Sequence, residues 1–118
     1  MCMGFYIVCH GSEDKFWIKD SSVLYGPDKG WREVSANSIY NCAKAAGYKD
    51  GSPVRLISCL TGSTEDGAAQ NLANQFNARI LAPTNKVWIQ PNGTLTLGPE
   101  ADVYEGEWVN FYPESINP

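Results

Sequence analysis

The chain has 118 residues, a length typical of one domain, so two independent cores are not expected. A hydrophobic fraction of 43% is ordinary for a globular protein and excludes collagen-like, disordered and coiled-coil structures. Nine basic and thirteen acidic residues give a formal charge of −4 without a basic block to hold a phosphate backbone, so no nucleic-acid partner is expected.

Turn residues and hydrophobic periodicity predict strands that alternate with helices up to Pro83. Ser35 is a candidate N-cap and Gly47 a candidate C-cap glycine for the first helix. Glu65 and Asp66 are expected in the first turn of the second helix, where the helix dipole favours acidic residues. The predicted order is a buried strand over 4–9, a small β excursion or hairpin within 13–33, a helix over 36–46, a strand over 54–58, a helix over 65–77 and a strand over 78–82.

The character of the sequence changes after Pro83. Two short extended segments, 87–89 and 94–97, flank Asn92-Gly93, which is a strong hairpin signal, and a last extended segment covers 107–112. The sequence therefore predicts an α/β fold with a short parallel βαβαβ sheet and an antiparallel edge hairpin, in a single domain over residues 1–118.

Two reactive side chains follow the first two predicted strands. His10, the only histidine, comes directly after the first strand, and Cys59 directly after the second. Because chemistry in open parallel sheets gathers outside the carboxyl ends of the strands, both side chains are expected at the same rim. An imidazolium near a thiol stabilises the thiolate, which is the nucleophilic form. The pair predicts thiol-dependent nucleophilic chemistry.

The other cysteines have simpler interpretations. Cys9 is expected in the core because it points to the opposite side of the pleat from His10, Cys42 is expected in the core or on a helix flank, and Cys2 is terminal. With no regular spacing and no histidine-rich companion, the four cysteines predict reduced thiols, with no metal or other cofactor. The chain carries no run of about 20 apolar residues and no secretory signal at its start, so we expect no membrane partner and a cytosolic compartment.

The dipeptides His10-Gly11 and Ser58-Cys59 resemble those of the caspase-like (clan CD) cysteine peptidases, in which the histidine lies about 50 residues before the cysteine. Thr61-Gly62 after the cysteine is more similar to the bacterial CHAT-related branch, and the Gln-Ala-Cys of caspases proper is absent. Segments 58–62, 69–73, 82–84 and 87–88, with Trp108 and 111–113, also resemble small domains at the carboxyl tips of bacterial polymorphic toxins of the Rhs and contact-dependent type.

The resemblance implies a three-layer caspase-like fold and a catalytic dyad of Cys59 and His10, with the backbone N–H groups of Gly11 and Cys59 as the oxyanion hole. The implied function is a cysteine-dependent amide hydrolase, an endopeptidase that acts on a protein substrate as a bacterial effector or toxin domain. It would work in the cytoplasm, or be delivered into a target cell's cytoplasm within a larger secreted protein, and would have a cognate immunity protein. Further candidate substrate-binding residues are Ser12, Asp14, Trp17, Ser58 and Trp88.

Two alternatives stay open. The same dyad and thioester intermediate would serve a glutamine deamidase or an acyl transferase. In a different class, the chain would be a non-catalytic protein-interaction module or a degenerate peptidase, with aromatic platforms for a sugar or a peptide. The candidate platforms are Trp17, Trp31, Trp88 and Trp108.

Overall fold

The structure is a computed structural model that describes residues 5–27 and 29–114. Its main sheet has the strand order β1-β5-β6-β9. The first three of these strands are parallel, and β9 pairs antiparallel with β6. This mixed α/β arrangement confirms the parallel βαβαβ core. The elements are β1 (Phe5–Val8), β2 (His10–Gly11), β3 (Phe16–Lys19), β4 (Trp31–Val34), α1 (Ala36–Ala45), β5 (Val54–Ile57), α2 (Ala68–Phe76), β6 (Ile80–Pro83), β7 (Val87–Ile89), β8 (Leu95–Leu97) and β9 (Trp108–Phe111).

One face of the main sheet carries the hydrophobic core. Alternate residues of β5 and β6 are buried there, and both helices contribute to the same cluster and contact each other. The opposite face is partly open, since Tyr6 is 53% and Val8 69% exposed. The expectation of a buried first strand was therefore wrong, because only one side of β1 is covered. A three-layer arrangement is not confirmed by the described residues.

The ends of the first helix follow the sequence signals. The Ser35 hydroxyl accepts a hydrogen bond from the Ser38 N–H at 3.1 Å, and Gly47, with φ +103°, lies just after the helix. Within the described residues, no helix is both long and apolar enough to cross a bilayer.

The second helix begins three residues later than predicted. Its first N–H, that of Ala68, donates to the Glu13 carbonyl at 2.8 Å, and Gly67 is the N-cap. Glu65 and Asp66 precede the helix, so their expected place in its first turn was wrong. The loop after β2 has taken the position in front of the helix, and a side chain at Gly67 would overlap the Glu13 carbonyl.

The predicted β excursion is a three-stranded antiparallel sheet with the order β2-β3-β4. The chain enters it directly from the main sheet. The Cys9 N–H still donates to the Ile57 carbonyl of the parallel ladder at 3.3 Å, and the next residue, His10, already pairs with Trp17. The chain thus changes sheets between Cys9 and His10, at the carboxyl end of β1.

The predicted hairpin is confirmed as β7 and β8, with Gly93 at φ +87° in the turn. Its predicted position at an edge of the parallel sheet was wrong, because the hairpin forms a separate two-stranded sheet. The physical reason is that β9 already pairs with the free edge of β6.

The second sheet meets the end of β5 at Gly11. A Cβ atom on Gly11 would overlap the Ser58 hydroxyl oxygen and would lie 2.6 Å from Thr61 Cγ2 and 3.1 Å from the Cys59 carbonyl oxygen. Only glycine lets the backbone approach this closely. The contact therefore fixes the distance between β2 and the turn that carries Cys59.

We expect Gly11→Ala to lower the free energy of unfolding by about 1 to 3 kcal/mol, because the added methyl group must displace packed atoms. Urea denaturation measures the change. The matched control is Gly51→Ala, since a Cβ there meets no atom within 4 Å; at φ +86° that substitution reports backbone strain without overlap. A loss for Gly11→Ala no larger than that for Gly51→Ala would contradict the packing argument.

Candidate functional site

His10 and Cys59 line the same cavity, which has a volume of about 460 Å³. It lies where the carboxyl ends of β1 and β5 meet the second sheet and the hairpin strand β7. Most of its wall is apolar. The lining residues are Val8, Cys9, His10, Trp17, Ile18, Lys19, Trp31, Ile57, Cys59, Val87 and Ile89.

Cys59 stands on a sharp turn directly after β5. The Thr61 hydroxyl donates to the Ser58 carbonyl at 2.8 Å and closes this turn. Leu60 adopts φ +63°, a left-handed conformation that costs a non-glycine residue roughly 1–2 kcal/mol. Its N–H donates to the Asn85 carbonyl at 3.1 Å, which helps to hold that conformation. The strained turn directs the Cys59 side chain to the cavity.

The Cys59 sulfur accepts a hydrogen bond from the Val87 N–H at 3.3 Å. A donor that points at sulfur interacts favourably with the negative charge of a thiolate. Val87 belongs to β7, so the hairpin that the sequence placed at the sheet edge instead supplies a backbone donor to the candidate nucleophile.

The His10 side chain is exposed and packs edge-on against Trp31, with ring centroids 4.3 Å apart and an interplanar angle of 66°. Among the described residues, no hydrogen bond joins the His10 ring to the Cys59 thiol. The structure thus brings the two predicted catalytic residues to one cavity, while each contacts a different neighbour.

The two predicted oxyanion-hole donors have no acceptor in the described part of the chain. The Ser12 N–H donates to the Lys15 carbonyl at 2.9 Å, so the next pair in register, Gly11 and Phe16, is a non-hydrogen-bonded pair. The Gly11 N–H therefore points away from β3. The Cys59 N–H likewise donates to no described acceptor.

The five candidate substrate-binding residues have different environments. Trp17 lines the cavity. Ser12 and Asp14 lie outside its lining and stabilise their own turn, where the Ser12 hydroxyl accepts from the Lys15 N–H at 3.2 Å. Ser58 is buried, and Trp88 donates from its indole N–H to the Gly98 carbonyl at 2.8 Å within the hairpin region.

Sequence reasoning missed most of the cavity wall. Trp31 appeared only as one of four aromatic platforms, and Lys19 did not appear. The available signal was the alternation of side chains along a strand. In the register of the second sheet, His10 lies opposite Trp17 and Lys19 lies opposite Trp31, so all four side chains share one face.

The Trp17 indole N–H is buried without a partner among the described residues, a state that costs about 1–3 kcal/mol.

The remaining described cysteines differ from Cys59. Cys9 is half-buried beside the core, its thiol lies 3.6 Å from the Ser58 hydroxyl oxygen, and burial raises its pKa. Cys42 is exposed on α1, so of the two predicted positions, in the core or on a helix flank, the structure shows the helix flank. Cys2 lies outside the described residues.

Within the described ranges, no group of three or more His, Cys, Asp and Glu side chains is arranged to hold a metal ion.

We expect iodoacetamide to label Cys9 with a pH midpoint above that of an ordinary thiol, because burial raises the pKa of Cys9 and only the thiolate reacts. Peptide mass spectrometry across a pH series measures the midpoint, with the exposed Cys42 of the same sample as the internal control. A midpoint for Cys9 at or below that of Cys42 would contradict the structure.

Comparison with known proteins gives a family but no activity. No curated protein and no solved structure matches the chain. One family does match, over residues 3–97, and it is described as a domain of unknown function (DUF8616). The match includes β1 to β8 and therefore His10, Cys59 and the whole lining of the cavity. The chain belongs to the DUF8616 family.

Proposed function

We propose that this chain is a cysteine-dependent amide hydrolase, an endopeptidase in which Cys59 is the nucleophile and His10 the acid and base. One observation carries the proposal. The backbone N–H groups of Gly11 and Cys59 have no described acceptor, and these two residues belong to the segments that make the close contact between β2 and the Cys59 turn, beside the cavity that the His10 and Cys59 side chains line. Unpaired donors held in place by backbone packing are what a developing oxyanion requires.

The chemistry proceeds in two balanced steps. The Cys59 thiolate attacks the amide carbonyl carbon, and the Gly11 and Cys59 N–H groups bind the resulting oxyanion. When the intermediate collapses, the carbon–nitrogen bond breaks and the leaving amine takes the proton that His10 holds. Water, deprotonated by His10, then attacks the thioester carbon; the carbon–sulfur bond breaks, the carboxylic acid is released, and the Cys59 thiolate is restored with the proton again on His10.

The contacts of the site without substrate are compatible with these two reaction steps. Catalytic hydrogen bonds are often long without substrate and tighten in the substrate complex. The His10 ring is exposed, and it makes an edge-on aromatic contact with Trp31. An aromatic edge contact is worth about 0.5–1.5 kcal/mol, which a bound substrate can readily offset.

A glutamine deamidase or an acyl transferase would use the same steps. In the first, the leaving group is ammonia from a side-chain amide; in the second, an amine replaces water in the attack on the thioester. The cavity opens beside two exposed apolar side chains, Val8 and Ile89, and such a rim suits an apolar residue of a polypeptide next to the reacting amide, which favours the peptidase.

A non-catalytic peptide-binding module is the second candidate, and one observation favours it. Trp17 and Trp31 line the cavity beside His10, whose ring packs against Trp31. The Cys59 sulfur accepts a hydrogen bond from the Val87 backbone N–H. In this function His10 and Cys59 shape a binding surface, and no covalent bond forms.

The proposal extends to the fold and the biological setting. A caspase-like origin is supported by the adjacent parallel strands β1 and β5, which are followed by His10 and Cys59 respectively. The toxin resemblance adds that the domain acts as a bacterial effector in the cytoplasm, its own or that of a target cell, and that a cognate immunity protein blocks the cavity. Growth arrest on expression, relieved by Cys59→Ala, tests this part.

We expect Cys59→Ala and His10→Ala each to lower the turnover of peptide amides by about a thousandfold or more, because removal of either member disables the pair. The purified full chain is incubated with a peptide library and with a cell lysate, and products are identified by mass spectrometry. Backbone cuts indicate a peptidase, whereas a gain of about one dalton on glutamine without cuts indicates a deamidase.

Cys42→Ala is the matched control, since this exposed thiol lies on α1 away from the cavity and should leave turnover unchanged. Circular dichroism verifies that each variant is folded. Turnover that survives in Cys59→Ala would refute the thiol mechanism. Peptide binding by the wild type with no covalent turnover would support the binding module instead.

A further inference from the structure

We propose that the cavity selects peptides that carry a large apolar side chain beside the scissile amide and a carboxylate within reach of Lys19. This inference deepens the proposed function and rests on it. Three observations support it: the cavity wall is mostly apolar, apolar side chains are exposed at its rim, and the Lys19 ammonium has no acidic partner among the described residues.

The wall of the cavity is apolar on several sides. Trp17 and Trp31 come from the second sheet, Val8 and Ile57 from the main sheet, and Val87 and Ile89 from the hairpin. Because three separate sheets contribute, a side chain that enters this open cavity is contacted from more than one side. A volume of about 460 Å³ lies within the range of ligand pockets and accommodates a leucine or phenylalanine side chain.

When no ligand is bound, apolar side chains at the rim of the cavity are exposed to water. Val8 is 69% and Ile89 71% exposed, and they belong to different sheets. An apolar side chain inserted between them would remove this surface from water together with its own, which gives a preference for large over small substrate side chains. A charged substrate side chain would instead lose its hydration without a partner.

Lys19 is the one Lys, Arg, Asp or Glu among the residues that line the cavity. Its ammonium lies 6.0 Å from the centroid of the Trp31 ring, and no acidic side chain pairs with it among the described residues. The nearby Glu33 instead faces Lys15, at 4.0 Å. In a chain with a formal charge of −4, an unpaired cation at the cavity attracts a substrate carboxylate and disfavours a substrate lysine.

The test uses four peptides that differ at two adjacent positions, with Leu or Gly at the first and Glu or Lys at the second. For the wild-type chain we expect kcat/KM at least about tenfold higher for Leu than for Gly. We expect a further preference of about threefold for Glu over Lys, as is typical of a solvent-exposed charge pair. Calorimetry with the Cys59→Ala chain measures affinity for the same peptides without turnover.

Two variants assign the preferences to residues. Ile89→Ser should reduce the Leu-to-Gly ratio, and Lys19→Met should abolish the Glu-to-Lys preference. Both side chains are exposed, so the fold should be retained. The matched controls are Tyr104→Ser and Lys49→Met, an exposed apolar residue and an exposed lysine outside the cavity lining, which should leave both ratios unchanged.

The failures are distinguishable. Turnover of all four peptides at equal rates would overturn the selectivity and leave the hydrolase proposal standing. Selective binding of the Leu-Glu peptide by Cys59→Ala, with no turnover by the wild type, would refute the hydrolase and retain the cavity's ligand class. Equal affinity of Cys59→Ala for all four peptides would overturn the inference whatever the turnover.

Discussion

The close approach of Gly11 to the Ser58–Thr61 turn is the constraint on which the candidate site depends. Because residue 11 has no side chain, the backbone of β2 reaches the Ser58 hydroxyl and the Cys59 carbonyl. The same approach holds the second sheet at the carboxyl end of β5 and encloses the cavity between the two. A larger residue at this position would move His10 and Trp17, its cross-strand partner, away from Cys59.

The change of sheet between Cys9 and His10 gives two adjacent residues opposite environments. Cys9 completes the parallel ladder with β5 and lies half-buried near the core, where burial raises the pKa of its thiol. His10 begins the second sheet, and its ring is exposed on the cavity side. The backbone alternation of a strand, continued across the change of sheet, thus separates a structural thiol from a candidate catalytic imidazole.

Local signals predicted what depends on local structure. Ser35, Gly47 and Gly93 act through their own turns, and each behaves as expected. The start of α2 was mispredicted because the Glu13 carbonyl, far away in sequence, binds its first N–H. The candidate pair His10 and Cys59 was accessible because parallel strands end at one rim.

Alternation along the predicted strands shows which residues share a face, but the sequence alone does not show which strands surround that pair. Trp17 and Trp88 both stand in short strands with apolar neighbours, yet only Trp17 lines the cavity. Trp88 stands between Val87 and Ile89, which do line the cavity, so alternation along β7 turns its side chain to the opposite face. That β3 and β7 reach the same cavity is set by contacts between distant segments, which hydrophobic periodicity does not encode.

In the structure His10 contacts Trp31 and Cys59 is hydrogen-bonded to Val87. The strength of these contacts determines the free-energy cost of the direct His10–Cys59 contact that the proposed mechanism uses. An edge-on contact between His10 and Trp31 contributes about 0.5–1.5 kcal/mol, and a difference of 1.4 kcal/mol changes a population tenfold. A ligand that fills the cavity competes with Trp31 for the imidazole and can shift that population by its differential contacts. In the proposed mechanism the hydrogen bond from the Val87 N–H to the Cys59 sulfur need not break, because it points at the atom that would carry the negative charge. In the proposed mechanism the His10 ring must leave this contact, at a cost no larger than the roughly 1.5–3 kcal/mol gained when an apolar side chain is buried.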